Sequence, residues 1–324
     1  MIEFQHISKT YRVAKRQAGF GNAVKALFSR EYEQIHALQD ISFRIEDGET
    51  VGYIGPNGAG KSTSIKIMCG VLTPDSGICR INGRIPWKER VAHTREIGVV
   101  FGQRSQLWWD VPVIDSFDLL RDIYGVDEKI YKRNRDELTE LLDLSELLKT
   151  PVRNLSLGQR MRCEIAGSLL HDPKMLFLDE PTIGLDAVSK IAVRSFIKKR
   201  NEERGTTVIL TTHDMQDIEA LAKRILLIGK GKILLDGTLP ELKRHVSERK
   251  KLTVQFNGAI PKLCPGMEQV ACEPGKLILM VDPKLLQVSE AIAYLASQTQ
   301  LQDLSVSDVS AEEMVTALYR EYQI

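Results

Sequence analysis

The run Gly55-Pro56-Asn57-Gly58-Ala59-Gly60-Lys61-Ser62-Thr63 fits G-x-x-x-x-G-K-[ST], the pattern of a phosphate-binding loop. The residue types suit that chemistry. Glycines let a backbone bend and come close to a ligand. Successive amides then point inward as a nest for anionic oxygens, and a helix that follows adds its positive dipole end. Lys61 would reach the β- and γ-phosphates, and the Ser62 hydroxyl would be placed to ligate Mg2+. The apolar run Thr50–Ile54 precedes the loop, and Ser64–Met68 follows with helical spacing. That is the strand, loop and helix the pattern requires. A glycine-rich turn that binds nothing is the competing reading, and the flanking context disfavours it. The loop alone leaves open how ATP or GTP is used.

A phosphate loop needs a metal partner and a means of activating water. The apolar strand Lys174–Leu178 delivers Asp179 and Glu180 at its end. Asp179 would hold Mg2+ from there, and Glu180 would orient and deprotonate the attacking water. Gln103 follows the buried-strand pattern Ile97–Phe101, and His213 stands at the tip of Thr206–Thr212. The C-terminal edge of a parallel sheet is where ligands bind. There Gln103 can bridge metal and water, and His213 can donate to a γ-phosphate oxygen. Taken alone, each reads as structural. Tyr11 is either a purine-stacking ring or an ordinary strand-end tyrosine.

These residues need elements to carry them. Alternating strands and helices, with motifs at strand ends, predict an α/β core around a parallel sheet. Ile2–Ile7 and Ala37–Ile45 alternate like half-buried strands, and Ile225–Leu235 contains a hairpin around Gly229-Lys230-Gly231. From Arg104 to about Pro151 the chain turns Leu-, Asp-, Glu- and Lys-rich with helical periodicity, which predicts an inserted helical subdomain over about 104–165. At its start Trp108 and Trp109 are either core or a contact surface. Over about 13–34, the residues Phe20, Val24, Leu27, Phe28 and, just beyond, Ile35 recur near helical spacing behind Lys15 and Arg16. That predicts an amphipathic helix, lying on a membrane face or partner or packed on its own domain. After Pro240 the style changes. Leu252–Phe256, Gln269–Cys272 and Leu277–Val281 read as strands, and Leu285–Ala296 and Ala311–Tyr319 as helices. The expected division is 1–240 for the nucleotide-binding domain and 241–324 for a small α+β appendage without a catalytic constellation.

Composition narrows the function classes. A chain of 324 residues suggests about two domains. Its 43% hydrophobic and 27% charged content is that of an ordinary globular protein. A net charge of +1 argues against a nucleic-acid partner. No apolar run approaches the roughly 18–20 residues needed to span a bilayer, and the first residues lack a signal-peptide pattern. The five cysteines show no C-x-x-C spacing and read as reduced thiols of a cytosolic protein.

From about Ile2 to Asp236 the sequence resembles the ATPase subunit of an ABC transporter. The Walker A loop (Gly55 to Thr63), Gln103, the signature Leu155-Ser156-Leu157-Gly158-Gln159, the Walker B strand (Met175 to Glu180), the D-loop Gly184-Leu185-Asp186 and the switch histidine His213 occur in that family's order. The resemblance implies a P-loop NTPase core with an antiparallel β subdomain and an inserted helical subdomain. It implies ATP and Mg2+ as cofactors. Two copies would meet head to tail, with Ser156, Gly158 and Gln159 of one covering the ATP on the other's loop, and Asp186 linking the two sites. Tyr11 matches the family's adenine-stacking aromatic. Leu157 departs from the usual signature glycine. The segment Phe101–Trp109, the extension before Ile35 and the C-terminal appendage resemble bacterial exporters with separately encoded permeases. A homodimer bound to integral membrane permease subunits, at the cytoplasmic face of the inner (plasma) membrane, is therefore expected. The rival readings are an importer ATPase and a soluble ABC ATPase acting on ribosomes or DNA.

Overall fold

The structure, a computed structural model, describes residues 1–14, 32–102, 104–212, 214–241, 249–309, 313–315 and 318–319. They form two compact units, Met1–Gly237 and Thr238–Ile324.

The first unit opens with β1 (Ile2–Ala14) and β2 (Tyr32–Ile45), an antiparallel pair. Next, β3 (Thr50–Ile54) leads through the phosphate loop into α1 (Lys61–Met68). β4 (Ser76–Ile81) returns to the other edge of β1 and completes a three-stranded sheet of order β2-β1-β4. α2 (Arg90–Thr94) precedes β5 (Ile97–Phe101), and the helices α3 (Val113–Tyr124), α4 (Glu128–Leu141) and α5 (Leu157–Gly167) follow. The unit continues through β6 (Met175–Asp179), α6 (Ala187–Arg204), β7 (Thr207–Thr211), α7 (Met215–Leu221), β8 (Arg224–Gly229) and β9 (Lys232–Gly237).

The large sheet has the order β5-β6-β7-β3-β8-β9, parallel throughout except for the β8–β9 hairpin. Its central strands are almost continuously apolar because both faces are covered. Ile65, Ile67 and Met68 of α1 are buried in one core with Phe4, Phe43 and Tyr53. The Phe4 and Phe43 rings stack at 4.7 Å within it. The α/β core, antiparallel subdomain and inserted helices expected from the sequence are what the chain forms.

One expectation is corrected. At both ends of the 13–34 stretch the backbone is strand, not helix: Val13 pairs with Glu33, Ala14 with Tyr32 and Tyr11 with Ile35. Cross-strand pairing on the sheet edge outweighs the helical spacing there. Residues 15–31 lie outside the described residues.

In the second unit, β10 (Lys250–Asn257), β11 (Met267–Glu273), β12 (Lys276–Val281) and β13 (Gln300–Asp308) form an antiparallel sheet of order β11-β12-β10-β13. Leu252, Val254, Leu277 and Leu279 pack with Ala291 and Leu295 of α8 (Val288–Gln298). Helical residues Met314, Val315 and Leu318 are also buried. Strand β13 was not anticipated from sequence.

Candidate active site

Five of the six strands run parallel, so the chemistry-bearing loops gather at one edge of the sheet. A cavity of about 560 Å³ opens there, lined by Asn57, Gly58, Gly60, Lys61, Ser62 and Thr63 of the loop together with Asp179 and Glu180. The loop's shape is fixed by its neighbours. Gly60 takes φ 111°, and a Cβ there would stand 2.5 Å from the Ala37 carbonyl oxygen and 2.7 Å from the Leu38 side chain. At Gly55 a Cβ would stand 2.6 Å from the Ile228 carbonyl oxygen. Only glycine fits either position. Gly55 and Ala59 face inward rather than lining the cavity, and the buried Ala59 accepts at its carbonyl from the Gly231 amide at 3.0 Å. Lys61 Nζ donates to the carbonyls of Gly55 (2.6 Å) and Pro56 (3.2 Å). Burial lowers the Lys61 pKa from the usual lysine value, while the Glu180 and Asp179 carboxylates oppose the shift.

Across the cavity, Ser62 Oγ donates to Asp179 Oδ2 at 3.2 Å. The other Asp179 oxygen accepts from Thr211 Oγ1. The Glu180 amide donates to the Thr211 carbonyl at 2.9 Å and lies 3.2 Å from its hydroxyl. Thr211 is fully buried at the end of β7, next to β6 in the sheet. It therefore fixes one carboxylate by its side chain and the next residue by its backbone. Glu180 itself sits at φ 56°, in the left-handed region, which costs about 1–3 kcal/mol in a non-glycine residue. Gly102 approaches from β5, and its amide donates to the Asp179 carbonyl at 2.7 Å. The donor pair of Ser62 and Asp179 is all oxygen, from one hydroxyl and one carboxylate. That set suits Mg2+, which is typically held by one or two carboxylates plus substrate phosphates.

The signature stretch is built differently. Ser156 caps α5: its Oγ accepts from the Gln159 amide (3.2 Å), and Gln159 Oε1 accepts from the Ser156 amide (2.9 Å). The Gln159 side-chain oxygen is thus engaged within its own helix. The first two helical amides, of Leu157 and Gly158, have no intrahelical acceptor, as at any helix start. Leu157 is 36% exposed, and a Cβ on Gly184 would stand 2.6 Å from its Cδ2. A Cβ on Gly158 would stand 2.6 Å from Ser189 Oγ and 3.6 Å from Asp186 Oδ2. Asp186 caps α6 by accepting from the Ser189 amide (2.9 Å) and hydroxyl (2.8 Å), which together hold its pKa below the usual aspartate value. Leu157 thus packs against Gly184, and Gly158 packs beside Ser189.

Gln103 and His213 lie outside the described residues. Tyr11 does not line the cavity, although Ile35, directly opposite it on β2, does. Sequence reasoning missed Thr211, for which the signal was a pair of threonines ending an otherwise apolar strand. It also missed Asp217, fully buried on α7, which accepts from Thr182, from Thr212 (3.0 Å) and from Arg194 (2.5 Å). That carboxylate ties the loop after Glu180 to the chain after β7.

Residues 38–183 match the family described as ABC transporter. An uncharacterized ABC transporter ATP-binding protein of Bacillus subtilis, YhcH, is 36% identical over 61% of this chain and 63% of its own length. The ABC transporter ATP-binding protein NatA of the same organism is 30% identical over 69% of this chain and 90% of its own. Other relatives, each 33% identical, include one named for linearmycin resistance and one for methionine import. Among solved structures, a dimeric ATP-binding cassette in a post-hydrolysis state with ADP and Pi superposes with a TM-score of 0.62. It is 26% identical, with 74% of this chain and 99% of that one covered. A cassette fold, a phosphate loop facing paired strand-end carboxylates and these relatives agree: the chain belongs to the ABC transporter ATP-binding family, and its reaction is the hydrolysis of ATP.

Proposed function

We propose that the chain powers an ABC exporter as a homodimer bound to separately encoded permease subunits, at the cytoplasmic face of the inner membrane. The observation that carries the catalytic reading is the cluster of Ser62, Asp179, Glu180 and Thr211 facing the phosphate loop. The loop amides and Lys61 hold the phosphates. Ser62 and Asp179, with Gln103, would hold Mg2+, which would supply positive charge against the nucleotide phosphates. Glu180 takes the proton of the attacking water, and His213 donates to a γ-phosphate oxygen. Ser156 and the Gly158 amide serve the nucleotide on the second copy, Asp186 links the two sites and Tyr11 stacks on the adenine. The exposed Trp108, Trp109 and Ile123 support permease docking around Trp108–Tyr124.

Glu180→Gln tests this reading. Turnover should fall at least about a hundredfold, on the scale of losing a positioned base. ATP binding should persist, and a closed dimer should accumulate in size-exclusion chromatography with ATP. Hydrolysis at the parental rate would remove Glu180 from the role of base.

The importer reading has a relative's name in its favour. Recovery of the chain with a multi-span permease and a substrate-binding protein supports import; recovery with the permease alone supports export.

A further inference from the structure

Glu164 is a charged residue buried in α5, 4% exposed and away from the nucleotide cavity. No cation lies within ion-pair distance of it among the described residues. It is satisfied by one short segment instead. Its Oε1 accepts from Ser105 Oγ, and its Oε2 accepts from the Gln106 amide at 3.1 Å. Gln106 Nε2 donates back to the Glu164 carbonyl at 2.9 Å. The Trp108 amide donates to the buried Ser116 hydroxyl of α3 at 3.1 Å. Residues 105–108 are therefore fastened to the inserted helices.

The same stretch of chain is fastened to the catalytic strand only a few residues earlier. Gly102 donates to the Asp179 carbonyl, and a Cβ on Gly102 would stand 2.8 Å from that oxygen. Arg104 turns back with its amide 3.1 Å from the Phe101 carbonyl. The path from Asp179 to the signature helix thus has two anchors close together in sequence. Buried hydrogen bonds to a charged group are worth more than neutral ones, and leaving a buried carboxylate short of donors is costly. The Glu164 anchor is accordingly stiff.

We propose that Glu164 is a positioning residue for ATP hydrolysis, fastening Ser105 and Gln106 to the signature helix so that Asp179 and Ser156 keep a fixed relation within one subunit. This rests on the reading of Asp179, Glu180 and Ser156 given above. It predicts a split between binding and turnover. The phosphate loop is untouched, so nucleotide affinity should hold while kcat falls.

The test uses the full chain and the variants Glu164→Ala, Glu164→Gln and Ser105→Ala, with melting temperature, ATP affinity and kcat measured for each. In Glu164→Ala, kcat should fall about tenfold to a hundredfold, as expected for a displaced catalytic group. ATP affinity should change by less than about twofold, because no interaction with the ground-state nucleotide is removed. Glu164→Gln keeps an acceptor for the Gln106 amide and should restore most of the loss. Parental kcat in a folded Glu164→Ala overturns the proposal. So does a joint loss of affinity and kcat that Glu164→Gln does not rescue, which is the mark of a purely structural residue. Where Glu164→Ala does not fold, Ser105→Ala decides: reduced kcat at unchanged affinity supports the proposal, and parental kcat sinks it. Glu180→Gln run in parallel separates the two claims, because parental turnover there removes the underlying reading, whereas turnover lost there but kept in Glu164→Ala removes only this one.

Discussion

The phosphate loop and the signature stretch serve one reaction in this reading, yet they are held in opposite ways. The loop is held by its surroundings, with carbonyls of Ala37 and Ile228 where side chains at Gly60 and Gly55 would have to go. The signature is held by itself. Its Ser156–Gln159 capping box closes within four consecutive residues, and Leu157 faces solvent. A locally capped helix start keeps its shape when one surface residue changes, whereas a loop moulded by fixed backbone atoms does not. The departure from the family's usual pattern falls in the self-held stretch, at Leu157.

Substitution at three glycine-related positions would sharpen or break that contrast. The largest effect is expected at Gly60→Ala, where backbone strain and overlap with a carbonyl oxygen together cost about 3 kcal/mol or more. Thermal denaturation and nucleotide titration should show a less stable protein with ATP binding lost; a stable variant that still binds would mean the loop is not moulded by Ala37. Gly158→Ala comes next. Its Cβ meets the Ser189 hydroxyl, which can turn away only by giving up its bond to Asp186, and the Ser189 Cβ at 3.2 Å, so stability should drop by about 1–2 kcal/mol. Steady-state kinetics should find kcat down about tenfold with ATP affinity kept, if this surface faces the second copy in the proposed dimer, since its packing on Ser189 is disturbed. The smallest change belongs to Leu157→Gly. Restoring the family's glycine gives up the contact with Gly184 and some helix propensity, worth together about 1 kcal/mol. Its kcat should stay within about threefold of the parent, with no interaction specific to the transition state removed. A drop as large as that of Gly158→Ala would show that Leu157 sets the position of the D-loop.

What the sequence disclosed follows from how far apart the cooperating residues lie. The loop, Asp179 and Glu180 and the signature are contiguous motifs, and the buried strands are continuous apolar runs, so both were legible. Thr211 was not, because its role needs β7 beside β6, and strand order is not written along the chain. Glu164 was missed for the same reason, since its partners precede it by more than fifty residues. Helical spacing at 13–34 misled at Val13 and Ile35, where strand pairing decides the local structure. Strand β13 was missed because Gln302-Asp303, at a register shift, interrupts its apolar–polar alternation, and most of its residues are polar and exposed.

The left-handed backbone at Glu180 has a consequence for evolution and for protein engineering. Glycine adopts that conformation without strain, so a chain selected only for thermal robustness would drift toward losing Glu180, the proposed base. Stability and activity pull against each other at this one residue. Glutamine carries nearly the same backbone strain as glutamate, which makes Glu180→Gln an electrostatic probe and Glu180→Gly a conformational one.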